Sequence, residues 1–128
     1  MTNTLNLTVL VENTAQGHGL LAEQGLAFWI ELGSRRILFD AGQTDIVCHN
    51  ADLLGIGFCS ADAIVLSHGH YDHTGGLAAV LKDTSGVGGS SVVAAAVADH
   101  AVSFALVLLS RACTRYVYWV SGCRSVSS

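Results

Sequence analysis

Ala63-Ile64-Val65-Leu66 is a short, wholly apolar run that is followed at once by the polar cluster Ser67-His68-Gly69-His70-Tyr71-Asp72-His73. Four apolar residues without alternation read as a strand buried on both faces. Such a strand needs a layer on each side and hydrogen-bonded neighbours on each edge. It therefore belongs inside an α/β sheet, and sheets of that kind commonly carry their chemistry at the C-terminal ends of the strands.

The preceding residues supply the neighbours. Leu5, Leu7, Val9 and Val11 alternate with Asn6, Thr8, Leu10 and Glu12, which predicts a strand burying its odd-numbered face. Asn13 to Gly19 is a polar loop. Leu26 to Leu32 is a second strand, Gly33 to Arg36 a turn and Ile37 to Phe39 a third strand, so the two strands form a hairpin. Thr44 is placed to cap a helix whose inward positions are Ile46, Val47, Asn50, Leu53 and Leu54, with Gly55 as its C-terminal stop. Thr74 to Leu81 reads as another helix.

After Leu81 the pattern changes. The chain divides into residues 1–81, a Gly/Ser-rich linker at 82–91, and an Ala/Val-rich apolar tail at 92–128. The run from Val92 to Leu109 reads as a buried helix, because Asp99 and His100 interrupt what would otherwise approach a membrane span. The chain has no proline, and a tail of this composition reads as a truncated or frame-shifted continuation. Only 12% of residues are charged, against about 25% in an ordinary soluble domain. A net charge of −4 argues against a nucleic-acid partner. The four cysteines include no C-x-x-C pair, and the N-terminus shows no basic, apolar leader, so reduced thiols and a cytoplasmic location are expected.

Four metal-ligand side chains fall within six residues: His68, His70, Asp72 and His73. His68 and His70 are two apart, so on extended backbone they lie on one side and reach one ion. Asp72 and His73 follow where the chain turns into a helix, beside a second position. Nitrogen and carboxylate donors suit zinc, and also iron or manganese. Loops favour Gly, Asn, Asp and Ser over His, so the density of imidazoles points to metal rather than to a solvated turn. Asp40 ends the third strand as His68 follows the apolar run. It is either a turn former before Gly42 or a carboxylate that orients a ligating histidine. His18 and His49 read as solvated, and Cys48 and Cys59 as packing.

Ser67-His68-Gly69-His70-Tyr71-Asp72-His73-Thr74-Gly75-Gly76-Leu77 resembles the His-x-His-x-Asp-His signature of the metallo-β-lactamase superfamily. Ile37 to Gly42 resembles the superfamily's strand ending in Asp-x-Gly, and Leu7 to Asn13 the first strand of its metal-dependent hydrolase branch, which includes dihydropterin ribofuranosyl-aminobenzene phosphate synthases. The resemblance covers Leu5 to about Leu81. It implies the first half of an αββα sandwich, with His68 and His70 on a first metal, Asp72 and His73 on a second, and Asp40 behind them. It implies one or two divalent ions and hydrolysis of a small-molecule ester, amide or phosphate by metal-bound hydroxide, with Asp72 orienting or deprotonating the water. The family takes further ligands from its second half. After His73 this chain offers only His100, Asp83 and Asp99, so the alternative is a non-catalytic remnant with a partial site. A half sandwich also leaves one sheet face uncovered, which predicts self-association.

Overall fold

In the computed structural model of the chain, residues 4–84 are described in full, and beyond them only the backbone of three strands is described. The elements in chain order are β1 (Leu5–Val11), β2 (Ala27–Leu32), β3 (Arg35–Phe39), α1 (Ile46–Leu53), a 3-10 turn (Phe58–Ser60), β4 (Ala63–Leu66), α2 (Tyr71–Thr74), α3 (Leu77–Thr84), β5 (Val93–Ala96), β6 (Ser103–Leu108) and β7 (Tyr116–Ser121). The strands form one sheet in sequence order. β1, β2 and β3 pair antiparallel, β3, β4 and β5 parallel, and β5, β6 and β7 antiparallel. The chain is therefore α/β, and the apolar run is an interior strand with a parallel partner on each edge.

The parallel β3–β4 pair positions the polar cluster. Its register sets Ile37 against Ala63, Leu38 against Ile64 and Phe39 against Val65. Asp62 pins the start: its N–H donates to the Arg36 carbonyl at 2.7 Å, and its Oδ2 accepts the Arg36 N–H at 2.7 Å. At the other end the Asp40 N–H donates to the Val65 carbonyl at 2.8 Å. Parallel strands in register end side by side, so Asp40 and Ser67 emerge together.

One face of the sheet is covered. Trp29, Leu38, Ile64 and Leu66 pack with Val47 and Ala51 of α1, Phe58 of the 3-10 turn and Val80 of α3. Helix α1 ends in a Schellman turn: Gly55 has φ +70, its N–H donates to the Asp52 carbonyl at 3.1 Å, and the Ile56 N–H donates to the Ala51 carbonyl at 2.8 Å. The residue before α1 is Asp45, and the Thr44 hydroxyl accepts the Ile46 N–H at 3.2 Å. Burial and then the carboxylates of Asp83, Asp52 and Asp45 push the Cys48 thiol up to about 11, which keeps it protonated and unreactive near neutral pH.

Several expectations are corrected. Leu5, Leu7 and Val9 are exposed at 59%, 53% and 46%, whereas Leu10 and Val11 are buried. The antiparallel register sets those three against Leu32, Ile30 and Phe28, on the face turned away from the helices. An irregularity between Val9 and Val11 then breaks the alternation and turns both Leu10 and Val11 inward. The helix expected from Thr74 to Leu81 is two helices, interrupted at Gly75-Gly76. The helix expected within 92–109 is instead β5 and β6, and β5, Val93-Ala94-Ala95-Ala96, extends the sheet beside β4 despite its alanines. The linker expected at 82–91 lies outside the described residues from position 85; Lys82 to Thr84 close α3. The origin of the tail also concerns residues that lie largely outside the description. Among the described residues no helix is long and apolar enough to cross a membrane.

Trp29 is 2% exposed and its ring lies 6.0 Å from that of Phe58, whereas Leu53, also expected to face inward, is 52% exposed. Trp29→Ala is expected to lower unfolding stability by about 3–5 kcal/mol. Leu53→Gln, which keeps helix propensity, is expected to stay within about 0.5 kcal/mol. Urea unfolding of both variants measures the difference.

Candidate metal centre

The loop after β4 is built on Asp40. Its side chain has no solvent exposure, and its backbone lies in the left-handed region at φ +59, which Asp tolerates better than most residues. Oδ1 accepts the Ser67 N–H at 2.7 Å. Oδ2 accepts the Ser67 hydroxyl at 2.7 Å and faces Nδ1 of His73 at 2.8 Å. Ser67 Oγ also lies 2.8 Å from Nδ1 of His68. Of the two readings of Asp40, the carboxylate that meets a histidine is the arrangement present, and the histidine it meets directly is His73.

The chain passes from His68 through a bend at Gly69 into α2, with His70 extended at ψ 145 as the residue before the helix. The His73 and Thr74 N–H groups then donate to the His70 carbonyl at 3.0 and 3.2 Å. This short turn brings His73 back under the loop. The His68 ring sits between the other two, with centroids 4.6 Å from His70 and 4.2 Å from His73. Asp72 Oδ2 lies 3.7 Å from His73 Nε2. The four motif side chains are thus gathered on the loop after β4 and the α2 turn that follows it, and all four are accessible to some degree. Among the described residues, however, no three His, Cys, Asp or Glu side chains are arranged as a group that would hold an ion. By chemistry the donor set still fits a borderline divalent ion: His73 has Nδ1 engaged by a carboxylate, which leaves Nε2 to ligate.

Backbone contacts hold α2 against the strand ends. The Ala41 N–H donates to the His73 carbonyl at 2.8 Å, the Leu26 N–H to the Asp72 carbonyl at 3.3 Å, and the Gly76 N–H to the Gly42 carbonyl at 3.1 Å. The segments approach so closely that a Cβ on Gly75 would lie 2.1 Å from the Gln43 carbonyl oxygen, and one on Gly76 2.1 Å from that of Ala41.

Two residues contribute that the sequence reading assigned no role. One is Ser67. The other is Glu23, whose Oε1 accepts the Gln43 and Thr44 N–H groups at 2.8 and 3.0 Å, and whose Oε2 accepts the Thr44 hydroxyl at 2.6 Å. Glu23 ties the loop before β2 to the turn that supports α2. Nothing in its sequence context distinguishes it from any loop carboxylate, whereas Ser67 at least adjoins the histidines. His49 lies elsewhere, with Nε2 2.8 Å from the Gly19 carbonyl, and His18 is exposed.

A sequence profile of the metallo-beta-lactamase superfamily matches residues 20–100. An uncharacterised protein of Methanocaldococcus jannaschii is 43% identical over 77 residues, which is 60% of this chain and 30% of that protein. The 7,8-dihydropterin-6-methyl-4-(beta-D-ribofuranosyl)-aminobenzene-5'-phosphate synthase of the same organism is 45% identical over 67 residues, covering 48% of this chain and 23% of the synthase. Among solved structures, the subclass B3 metallo-beta-lactamase BJP-1 of Bradyrhizobium japonicum is similar with 27% identity and a TM-score of 0.42, over 52% of this chain and 25% of that one. The chain spans less than a third of the length of the curated relatives it matches.

The close approach behind α2 sets an expectation. Gly76→Ala is expected to cost about 1–3 kcal/mol, because its Cβ would collide with backbone rather than with a movable side chain. Gly57→Ala, whose Cβ would meet only Cys59 Sγ at 3.6 Å, is expected to change stability by no more than about 0.5 kcal/mol. Denaturant midpoints of the two variants test this.

Proposed function

The chain belongs to the metallo-beta-lactamase superfamily, and on that premise we propose that it is a metal-dependent hydrolase carrying one side of a metal centre. His68 and His70 would hold a first divalent ion, and Asp72 and His73 a second. Zinc is the ion the donor types favour, with iron or manganese as substitutes. The observation that carries this reading is the contact of the buried Asp40 carboxylate with His73 Nδ1 at 2.8 Å, the arrangement that fixes the orientation of ligating histidines in metal sites. When bound, a divalent ion supplies Lewis acidity and lowers the pKa of its water toward ~7. The Asp72 carboxylate would orient that water and accept its proton. The substrate is a small molecule with an ester, amide or phosphate centre. Similarity to a synthase whose product bears a phosphate supports including phosphate compounds.

A second reading is a non-catalytic protein with a partial site. It is favoured by the lack of three convergent donors among the described residues. One experiment separates the two. The purified chain is loaded with zinc, desalted and analysed for metal, then assayed on a phosphodiester and a lactone. The hydrolase is expected to retain metal and turn over, with both losses in His70→Ala amounting to tenfold or more. Metal retained without turnover would establish the second reading, and metal retention indifferent to His70→Ala would overturn the assignment of ligands.

The sheet face bearing Leu5, Leu7, Val9 and Leu32 is open and apolar, and we propose that the chain associates through it. Size-exclusion chromatography with light scattering should give a concentration-dependent dimer or larger species, and Leu7→Lys should shift it toward monomer. A monodisperse monomer at all concentrations would rule this out.

A further inference from the structure

We propose that Ser67 is a positioning residue that passes the hold of Asp40 on to His68, so that one buried carboxylate sets the tautomer of two imidazoles. A carboxylate only accepts, and a serine hydroxyl has a single proton to give. Ser67 Oγ lies 2.7 Å from Asp40 Oδ2, and its own N–H holds Oδ1 of the same carboxylate at 2.7 Å. These two contacts from one residue to one carboxylate fix the hydroxyl rotor, and the hydroxyl proton goes to Oδ2. Ser67 Oγ then meets Nδ1 of His68 at 2.8 Å with only lone pairs to offer. His68 must therefore carry its proton on Nδ1 and keep its lone pair on Nε2.

His73 reaches the same state by direct contact. Its Nδ1 lies 2.8 Å from Asp40 Oδ2, so it too is protonated there and keeps Nε2 open. The reverse arrangement, with His68 Nδ1 accepting from Ser67, would leave two oxygens 2.7 Å apart with no proton between them. Asp40 is fully buried, where such a repulsion is not screened by water. The ring of His70, by contrast, has no hydrogen-bond partner among the described residues, and its position is exposed. The loop thus presets two of its three imidazoles for ligation through Nε2 and leaves the third to adapt. This consequence for metal rests on the reading given under Proposed function; the tautomer assignment does not.

Long-range 1H–15N correlation spectra of the labelled, metal-free full chain, recorded at mildly alkaline pH, read the tautomers directly. His68 and His73 are both expected to show a protonated Nδ1 and an unprotonated Nε2. Ser67→Ala is expected to move His68 toward the Nε2–H form while His73 stays, and Ser67→Thr, which keeps the hydroxyl, is expected to restore it. Zinc affinity by chelator competition should fall about tenfold or more in Ser67→Ala and recover in Ser67→Thr. A wild-type His68 protonated on Nε2 overturns the proposal, and that spectrum decides the matter even if Ser67→Ala fails to fold. A His68 signal unmoved by Ser67→Ala overturns it as well. The predicted tautomers in a chain that binds no zinc would uphold the relay and remove the metal reading instead.

Discussion

The fully buried Asp40 carboxylate accepts hydrogen bonds from the Ser67 N–H and hydroxyl and meets His73 Nδ1, and the polar loop takes its position from these contacts. A buried acceptor left unpaired costs about 1–3 kcal/mol, more if charged, so the loop cannot shift without leaving Asp40 exposed to that penalty. The left-handed backbone at Asp40 costs roughly 1–2 kcal/mol. It turns the chain at the end of β3 while the Asp40 N–H still completes the ladder to Val65. Strand pairing and site geometry therefore share one residue.

The support around this carboxylate comes mostly from backbone. Ala41, Gly42 and Leu26 bond to main-chain groups of His73, Gly76 and Asp72, and Glu23 holds the Gln43–Thr44 turn from the side. Such contacts need close approach, which is why glycines occupy positions 75 and 76. The glycine pair also ends α2 and separates it from α3. Its role is steric first, and the helix break follows from the same lack of side chains.

Much of this was legible in advance, and unevenly so. The apolar run at 63–66 is β4 with the same bounds, because four consecutive apolar residues have few other places to go. The β2–β3 hairpin and the Gly55 stop of α1 are local in origin and were readable for that reason. The inward face of β1 was not. Period-two alternation marks two faces but does not say which one the helices will cover, and here they cover the other. The run after position 92 reads as a helix because β5, Val93-Ala94-Ala95-Ala96, is mostly alanine, which favours helix over strand, and the strand comes from pairing with β4.

By itself the sequence determined the presence of the histidine and aspartate donors, their spacing on one loop, and the central strand that delivers them. These are properties of neighbouring residues, and short-range rules govern them. The tertiary structure decided that Asp40 sits beside His73, that Ser67 stands between Asp40 and His68, and that Glu23 clamps the turn beneath. Each of those contacts except Ser67 with His68 joins residues 20 or more positions apart. The Asp40 contacts exist because β3 and β4 run parallel and in register, and that pairing is a choice made by the folded sheet rather than by any stretch of the chain.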